Sequence, residues 1–172
     1  MTSGPNLVLV GVNHKTTPVE IREKLAFNQD KLEASLGELV SSPEIIENII
    51  LSTCNRVEIY ARVENTDRGI QLLQDFICDY HNISRGNLDQ YFYSCCDNQA
   101  VEHLFRVSSS LDSMGLGEAQ ILGQVKDAYS TARSFSSTGM VLNQLFEKAF
   151  NVAKKVREEP GISERGVSIS SA

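Results

Sequence analysis

Residues 7–12 form an apolar, valine-rich run closed by the polar stretch Asn13-His14-Lys15-Thr16-Thr17 ahead of Pro18. This predicts a strand, a loop, and a helix whose first position is Pro18 and whose cap is Thr17. A second helix start at Asn28 precedes Leu32, Leu36, Leu39 and Val40, spaced as one face, and Ser41-Ser42-Pro43 stops it. Residues 45–52 and 57–63 are strand-like and only Thr53-Cys54-Asn55-Arg56 separates them, a β-hairpin spacing with Cys54 at the tip. Residues 67–80 carry Ile70, Leu73, Phe76 and Ile77 at helical spacing, and the aromatic stretch Tyr91-Phe92-Tyr93 reads as a last strand.

The order β-α-β-β-α-β is the ferredoxin-like pattern. From Asp97 onward the apolar period is helical, through Val101, Leu104 and Phe105, then Ile121, Val125, Ala128 and Ala132, then Leu142, Leu145, Phe146, Ala149, Ala153 and Val156. The expected class is therefore α+β: a ferredoxin-like subdomain over residues 1–96 followed by a helical subdomain over 97–160. Pro160-Gly161 ends the last helix, and the serine-rich residues 161–172 read as the start of a linker.

Composition narrows the function classes. The 172 residues are 41% hydrophobic and 22% charged, and no apolar run approaches the ~20 residues of a membrane span. No signal-peptide pattern opens the chain, so a soluble, cytoplasmic protein without membrane contact is expected. Sixteen Lys and Arg against 22 Asp and Glu leave a net charge of −6, which argues against a large basic surface for nucleic acid. The four cysteines show no C-x-x-C or Cys/His spacing, so reduced thiols and no metal site are expected. Vicinal Cys95-Cys96 reads as a pair of small apolar residues near a strand, with a metal or redox pair as the alternative.

Cys54 is the candidate nucleophile, because its neighbours are polar and Arg56 is a fixed cation able to favour the thiolate. Residue types alone favour an ordinary hairpin thiol. The surrounding strings decide further: Gly11-Val12-Asn13-His14-Lys15-Thr16-Thr17-Pro18, then Leu51-Ser52-Thr53-Cys54-Asn55-Arg56-Val57-Glu58, then residues 111–126 with the sequence LDSMGLGEAQILGQVK. In that order they resemble the glutamyl-tRNA reductase family, over a region from Val8 to essentially the last residue. The sequence departs from the family pattern where Ala119 replaces a common Pro and Gly115 a common β-branched residue.

The resemblance implies an oxidoreductase of tetrapyrrole (porphyrin) biosynthesis that reduces the glutamyl group of glutamyl-tRNA to glutamate 1-semialdehyde with NADPH. Cys54 matches the family nucleophile, whose thiolate attacks the ester to give a thioester, and His103 matches a histidine important for activity. Thr53, Asn55 and Arg56 match a substrate-contacting turn, and Ser113, Glu118, Ala119, Gln120 and Gln124 match a second substrate-contacting segment. Arg56 suits a carboxylate through paired charged hydrogen bonds, and Glu118 suits the substrate ammonium. Without the resemblance, Glu118 and the glutamines read as a solvated helix start and His103 as a half-exposed helical histidine. Lys15 is open between a tRNA phosphate contact and a loop role, whereas Lys154, Lys155 and Arg157 read as a solvated face.

Family members continue into a nicotinamide-binding domain and a helical dimerisation domain. The expectation is thus the N-terminal catalytic portion of a larger enzyme, homodimeric through a C-terminal domain, with an aminomutase as partner for the semialdehyde. NADPH is expected to bind a domain outside this sequence: Gly115-Leu116-Gly117 starts like a dinucleotide fingerprint but has Gln120 where a third Gly or Ala belongs. The rival from another class is a non-catalytic ferredoxin-like module that binds RNA or a small ligand, and a cysteine hydrolase is a third reading. An RNA-recognition version calls for stacking aromatics in a basic, Gly-rich strand, which the sequence lacks.

Overall fold

The computed structural model describes residues 6–111 and 120–159. Four strands, β1 (Asn6–Asn13), β2 (Ile45–Ser52), β3 (Arg56–Val63) and β4 (Tyr93–Cys96), form one sheet in the order β2-β3-β1-β4. All three neighbouring pairs are antiparallel, which is the ferredoxin-like arrangement. The helices are α1 (Val19–Leu25), α2 (Gln29–Ser41), α3 (Thr66–Tyr80), α4 (Asn98–Ser108), α5 (Ile121–Ser134) and α6 (Met140–Glu158). None of the described helices is long and apolar enough to cross a membrane.

β1, β2 and β3 are buried on both faces, although alternation normally leaves one face wet. The reason is a helical layer on each side. Directly opposed residues share a face, so the pairs Gly11↔Glu58, Leu9↔Tyr60 and Leu51↔Glu58 put Glu58 and Tyr60 together on one side. That side meets α4 through His103 and α6 through Phe146, whose ring lies edge-on to Tyr60 at 5.3 Å. The opposite side carries Val63 against Gly69 of α3, while Asn48 donates to the Leu36 carbonyl of α2.

Two polar contacts lock the second layer to the sheet edge. Buried Glu47 of β2 accepts from the backbone N–H groups of Gly139 and Leu142, capping α6 from across the fold, since Gly139 has no side chain to do so. Ser137 covers the outer edge of β2: its carbonyl accepts from the Asn48 N–H at 2.8 Å, and its hydroxyl donates to the Asn48 carbonyl at 3.0 Å.

Two local expectations are corrected. The last strand is Tyr93–Cys96 rather than 91–93; Tyr91 closes a turn onto Leu88, and pairing begins only at Gly11↔Tyr93. Asp97 then pins the strand end by exchanging bonds with Leu7 through its N–H and its side chain. Thr17 does not cap α1: the helix starts at Val19 with Pro18 at the cap position, and buried Thr17 instead pairs its hydroxyl with that of Thr16. Asn28 holds the cap position of α2 without a side-chain bond, whereas Asn65, which the pattern missed, caps α3 by accepting from Arg68 N–H.

Close packing at Gly69 yields a test. A Cβ there would lie 2.7 Å from a Val63 methyl, whereas at Gly37 of α2 it would meet nothing within 4 Å. Overpacking of about 1–3 kcal/mol should outweigh the ~1 kcal/mol helix-propensity gain, so Gly69→Ala lowers the urea midpoint. Gly37→Ala raises it, and a rise for both would disprove the packing argument.

Candidate functional site

At one end of the sheet the β2–β3 hairpin and the loop after β1 lie side by side. Thr53 organises the hairpin turn, its hydroxyl accepting from the N–H groups of Asn55 and Arg56, each at 3.2 Å. Asn13 organises the neighbouring loop, its side chain accepting from the N–H groups of Lys15 (2.9 Å) and Thr16 (3.2 Å). The two are tied together where His14 N–H donates to the Asn55 carbonyl at 2.9 Å. Arg22 of α1 spans both, donating to the Thr17 carbonyl at 2.7 Å and to the Cys54 carbonyl at 3.4 Å.

This frame holds Cys54 in the open. Of the four cysteines, all within the described residues, Cys54 alone is exposed. Burial, the largest effect in each case, pushes the Cys78, Cys95 and Cys96 thiols up, and nearby carboxylates add to it. Those three are poorer nucleophiles at neutral pH. Cys95 and Cys96 are consecutive in β4, so their side chains point to opposite faces and cannot share a metal. Among the described residues no group of three or more His, Cys, Asp or Glu is placed to hold a metal ion.

Just inside the hairpin lies a buried polar cluster centred on Glu58, whose side chain is fully enclosed. Tyr60 donates its hydroxyl to Oε1 at 3.0 Å. Oε2 takes the Tyr93 hydroxyl, the His103 Nε2 at 2.5 Å, and an Arg56 guanidinium nitrogen at 3.5 Å. Burial pushes the Glu58 carboxyl up, but the hydrogen bond and charge of His103, the charge of Arg56 and the Tyr93 hydroxyl outweigh it and hold the group below the ordinary carboxylate range. Tyr60 moves the other way, raised well above its usual range by burial and then by the Glu58 charge. Gly11 makes room for this cluster: a Cβ there would sit 2.8 Å from Glu58 Cγ and 2.6 Å from the Val57 carbonyl.

The structure thus brings Thr53, Cys54, Asn55 and Arg56 into one turn and joins Arg56 to His103 through a shared carboxylate. Arg56 is buried with Glu58 as partner, and His103 keeps a partly exposed edge, its side chain 16% accessible. Gln124 of α5 lines a pocket with Ser52, two residues before Cys54, and Gln120 is exposed at the start of that helix. Ser113, Glu118 and Ala119 lie outside the described residues.

A family profile described as the N-terminal domain of glutamyl-tRNAGlu reductase matches residues 10–160. The chain belongs to the glutamyl-tRNA reductase family. It is 50% identical over 167 residues to the glutamyl-tRNA reductase of Geotalea uraniireducens, covering 97% of this chain and 38% of that protein. The corresponding enzyme of Carboxydothermus hydrogenoformans is 48% identical over 166 residues, with 37% of its length covered. Among solved structures, glutamyl-tRNA reductase from Methanopyrus kandleri superposes with a TM-score of 0.73 at 37% identity, over 88% of this chain and 34% of that one. The chain therefore spans little more than a third of the length of these relatives, and the α+β architecture is that of the family's N-terminal domain.

Sequence reading missed Glu58, Tyr93 and Arg22. Period-2 alternation does signal Glu58: it falls between Val57 and Ile59 in a strand that buries both faces, where a carboxylate requires partners. Arg22 has no comparable signal, because only the folded loop carries it to the Cys54 carbonyl.

Glu58→Gln removes the charge that Arg56 and His103 share, and should cost about 1.5–3 kcal/mol at neutral pH. Because the folded carboxyl lies below its ordinary value of 4.5, its stabilisation is complete above that value and is lost as pH falls through the lower, folded one. The gap between wild type and Glu58→Gln in urea titrations should accordingly be widest at neutral pH and close in acid. A gap independent of pH would show that the carboxylate charge is not what holds the cluster.

Proposed function

We propose that this chain carries the nucleophilic half of a glutamyl-tRNA reductase, with the Cys54 thiolate attacking the ester carbonyl of glutamyl-tRNA. A carbon–sulfur bond forms, the carbon–oxygen bond to the terminal ribose breaks, and the tRNA leaves with a proton on its ribose oxygen. The observation that carries this reading is the exposed Cys54, held by backbone bonds at a hairpin tip directly beyond the Arg56–Glu58–His103 cluster.

Each residue then has work its position suits. Thr53 and Asn55 fix the turn, and Arg56, buried against Glu58, supplies a fixed positive charge that draws the substrate carboxylate toward the turn. His103, bonded to Glu58 through Nε2, presents its other ring nitrogen to supply the leaving ribose oxygen with a proton. Gln120 and Gln124, with Ser113, Glu118 and Ala119, complete the substrate contacts.

In the whole protein NADPH supplies the hydride that converts the thioester to glutamate 1-semialdehyde, an early step of tetrapyrrole synthesis. The described residues do not fit that coenzyme: every strand pair is antiparallel, so they contain no parallel β-α-β crevice for a dinucleotide. No step of the reduction is assigned to them. Dimerisation and hand-over of the aldehyde to an aminomutase are likewise properties we propose for the whole protein, in the cytoplasm.

Two outcomes test this reading. Incubation with radiolabelled glutamyl-tRNA should leave an acid-stable, base-labile label on the protein. Cys54→Ser should abolish that label while circular dichroism stays unchanged, and a persisting label would remove the mechanism. The 172-residue chain alone, given NADPH, should release tRNA and then free glutamate without oxidising the coenzyme. Semialdehyde in the chromatogram would show that the division of labour is wrong.

A further inference from the structure

A pocket of about 190 Å³ lies beside the outer strand, between the segment before α2, the end of β2 and one face of α5. It is only part of a ligand site by size, since whole-ligand pockets run to roughly 300–1,000 Å³. Its floor is apolar, with Phe27 and Leu32 on one side and Leu51 and Ala128 on the other. Its rim is polar, formed by Ser52, Gln124, Asp127 and Thr131. Gln124, Asp127 and Thr131 are spaced by three and four residues, so a single face of α5 presents an amide, a carboxylate and a hydroxyl together. Among the described residues, none of these three side chains is engaged in a hydrogen bond within the protein.

The position of the pocket relates it to the proposed chemistry. Ser52 on its rim is two residues from Cys54, and two residues span at most ~7 Å of extended chain. The pocket therefore lies near the hairpin tip that carries the Cys54 thiol, where the alcohol half of an ester held at the sulfur can extend toward it. The lining discriminates between the parts of that alcohol. A carboxylate only accepts hydrogen bonds and repels phosphate, and the chain as a whole carries −6, so the sugar-phosphate backbone is disfavoured here. A neutral hydroxyl is favoured: the vicinal hydroxyl left free on an esterified ribose donates to Asp127 and accepts from the Gln124 amide or the Thr131 hydroxyl.

We propose that this pocket receives the terminal ribose of the acylated tRNA, with Asp127 and Thr131 as specificity residues for the leaving group. The proposal rests on Cys54 as the acceptor of the glutamyl group, and it adds a subsite for the half of the substrate that departs. Occupancy by the sugar aligns the scissile carbon–oxygen bond over the sulfur and makes the site read a nucleoside ester in preference to a simple one.

Binding and kinetics test it separately. On the Cys54→Ser chain, ligand-observed NMR should detect adenosine, and 2′,3′-dideoxyadenosine should bind at least about tenfold more weakly, the scale of one hydrogen bond to a charged group. Asp127→Asn should weaken adenosine to a similar extent. On the wild-type chain, labelled glutamyl-tRNA and an activated glutamyl ester lacking a nucleoside should both acylate Cys54. Asp127→Asn and Thr131→Val should slow the first donor about tenfold and leave the second unchanged. Failure of adenosine to bind overturns the proposal, as does equal slowing of both donors, which would place the substrate ammonium against Asp127. If neither donor acylates wild type, the Cys54 mechanism fails, and the adenosine measurements still decide the pocket.

Discussion

A carboxylate with no access to water governs this structure. Isolated burial of Glu58 would be prohibitive, and it is tolerated because two hydroxyls, an imidazole and a guanidinium meet its two oxygens. Those partners come from β3, β4 and α4, and the space for them exists because Gly11 has no side chain. Glu58 therefore sets the spacing between the sheet and its second helical layer and, in the same contacts, holds the two residues to which the proposed chemistry assigns charge and proton handling. Stability and site geometry are here a single constraint.

Around that fixed point the fold separates rigid from accessible parts. Arg56 and His103 are held from beneath by a shared counter-charge, while Cys54 projects from a turn organised by the Thr53 hydroxyl and by the Arg22 bond to the Cys54 carbonyl. In the proposed reaction the thiol must reach a large substrate, and an exposed tip allows it to. The charged groups that the proposal sets beneath it gain from being immobile, so they belong in the interior.

Much of this was legible in the sequence because it is local. Alternation and helical spacing located nearly every element, and the short polar stretch between the two expected strands placed Cys54 at a tip. The errors arose where tertiary contacts override a local signal. The aromatic run 91–93 has strong strand propensity, yet pairing with β1 starts at Tyr93 and the Asp97–Leu7 exchange draws the strand toward the cysteines. Thr17 has the chemistry of a cap but is buried beside Thr16. The candidate site divides in the same way. The turn residues are contiguous and readable, whereas the link between Arg56 and His103 depends on a register that places Glu58 opposite Gly11, and on α4 crossing that face. Helical periodicity alone describes His103 only as lying off the apolar stripe.

The separation between Glu58 and His103 has a consequence for biosynthesis. Their contact bridges 45 positions, whereas the hairpin that carries Cys54 and Glu58 closes over only residues 53–55. During translation the hairpin segment emerges first, and α4 follows only after dozens more residues have been added. Until then the Glu58 carboxylate lacks its imidazole partner and stays hydrated, so the sheet face around it cannot dry. The nascent hairpin consequently carries its thiol before its surroundings exist, and the arrival of α4 closes the core and completes the centre to which the proposed chemistry is assigned in the same event.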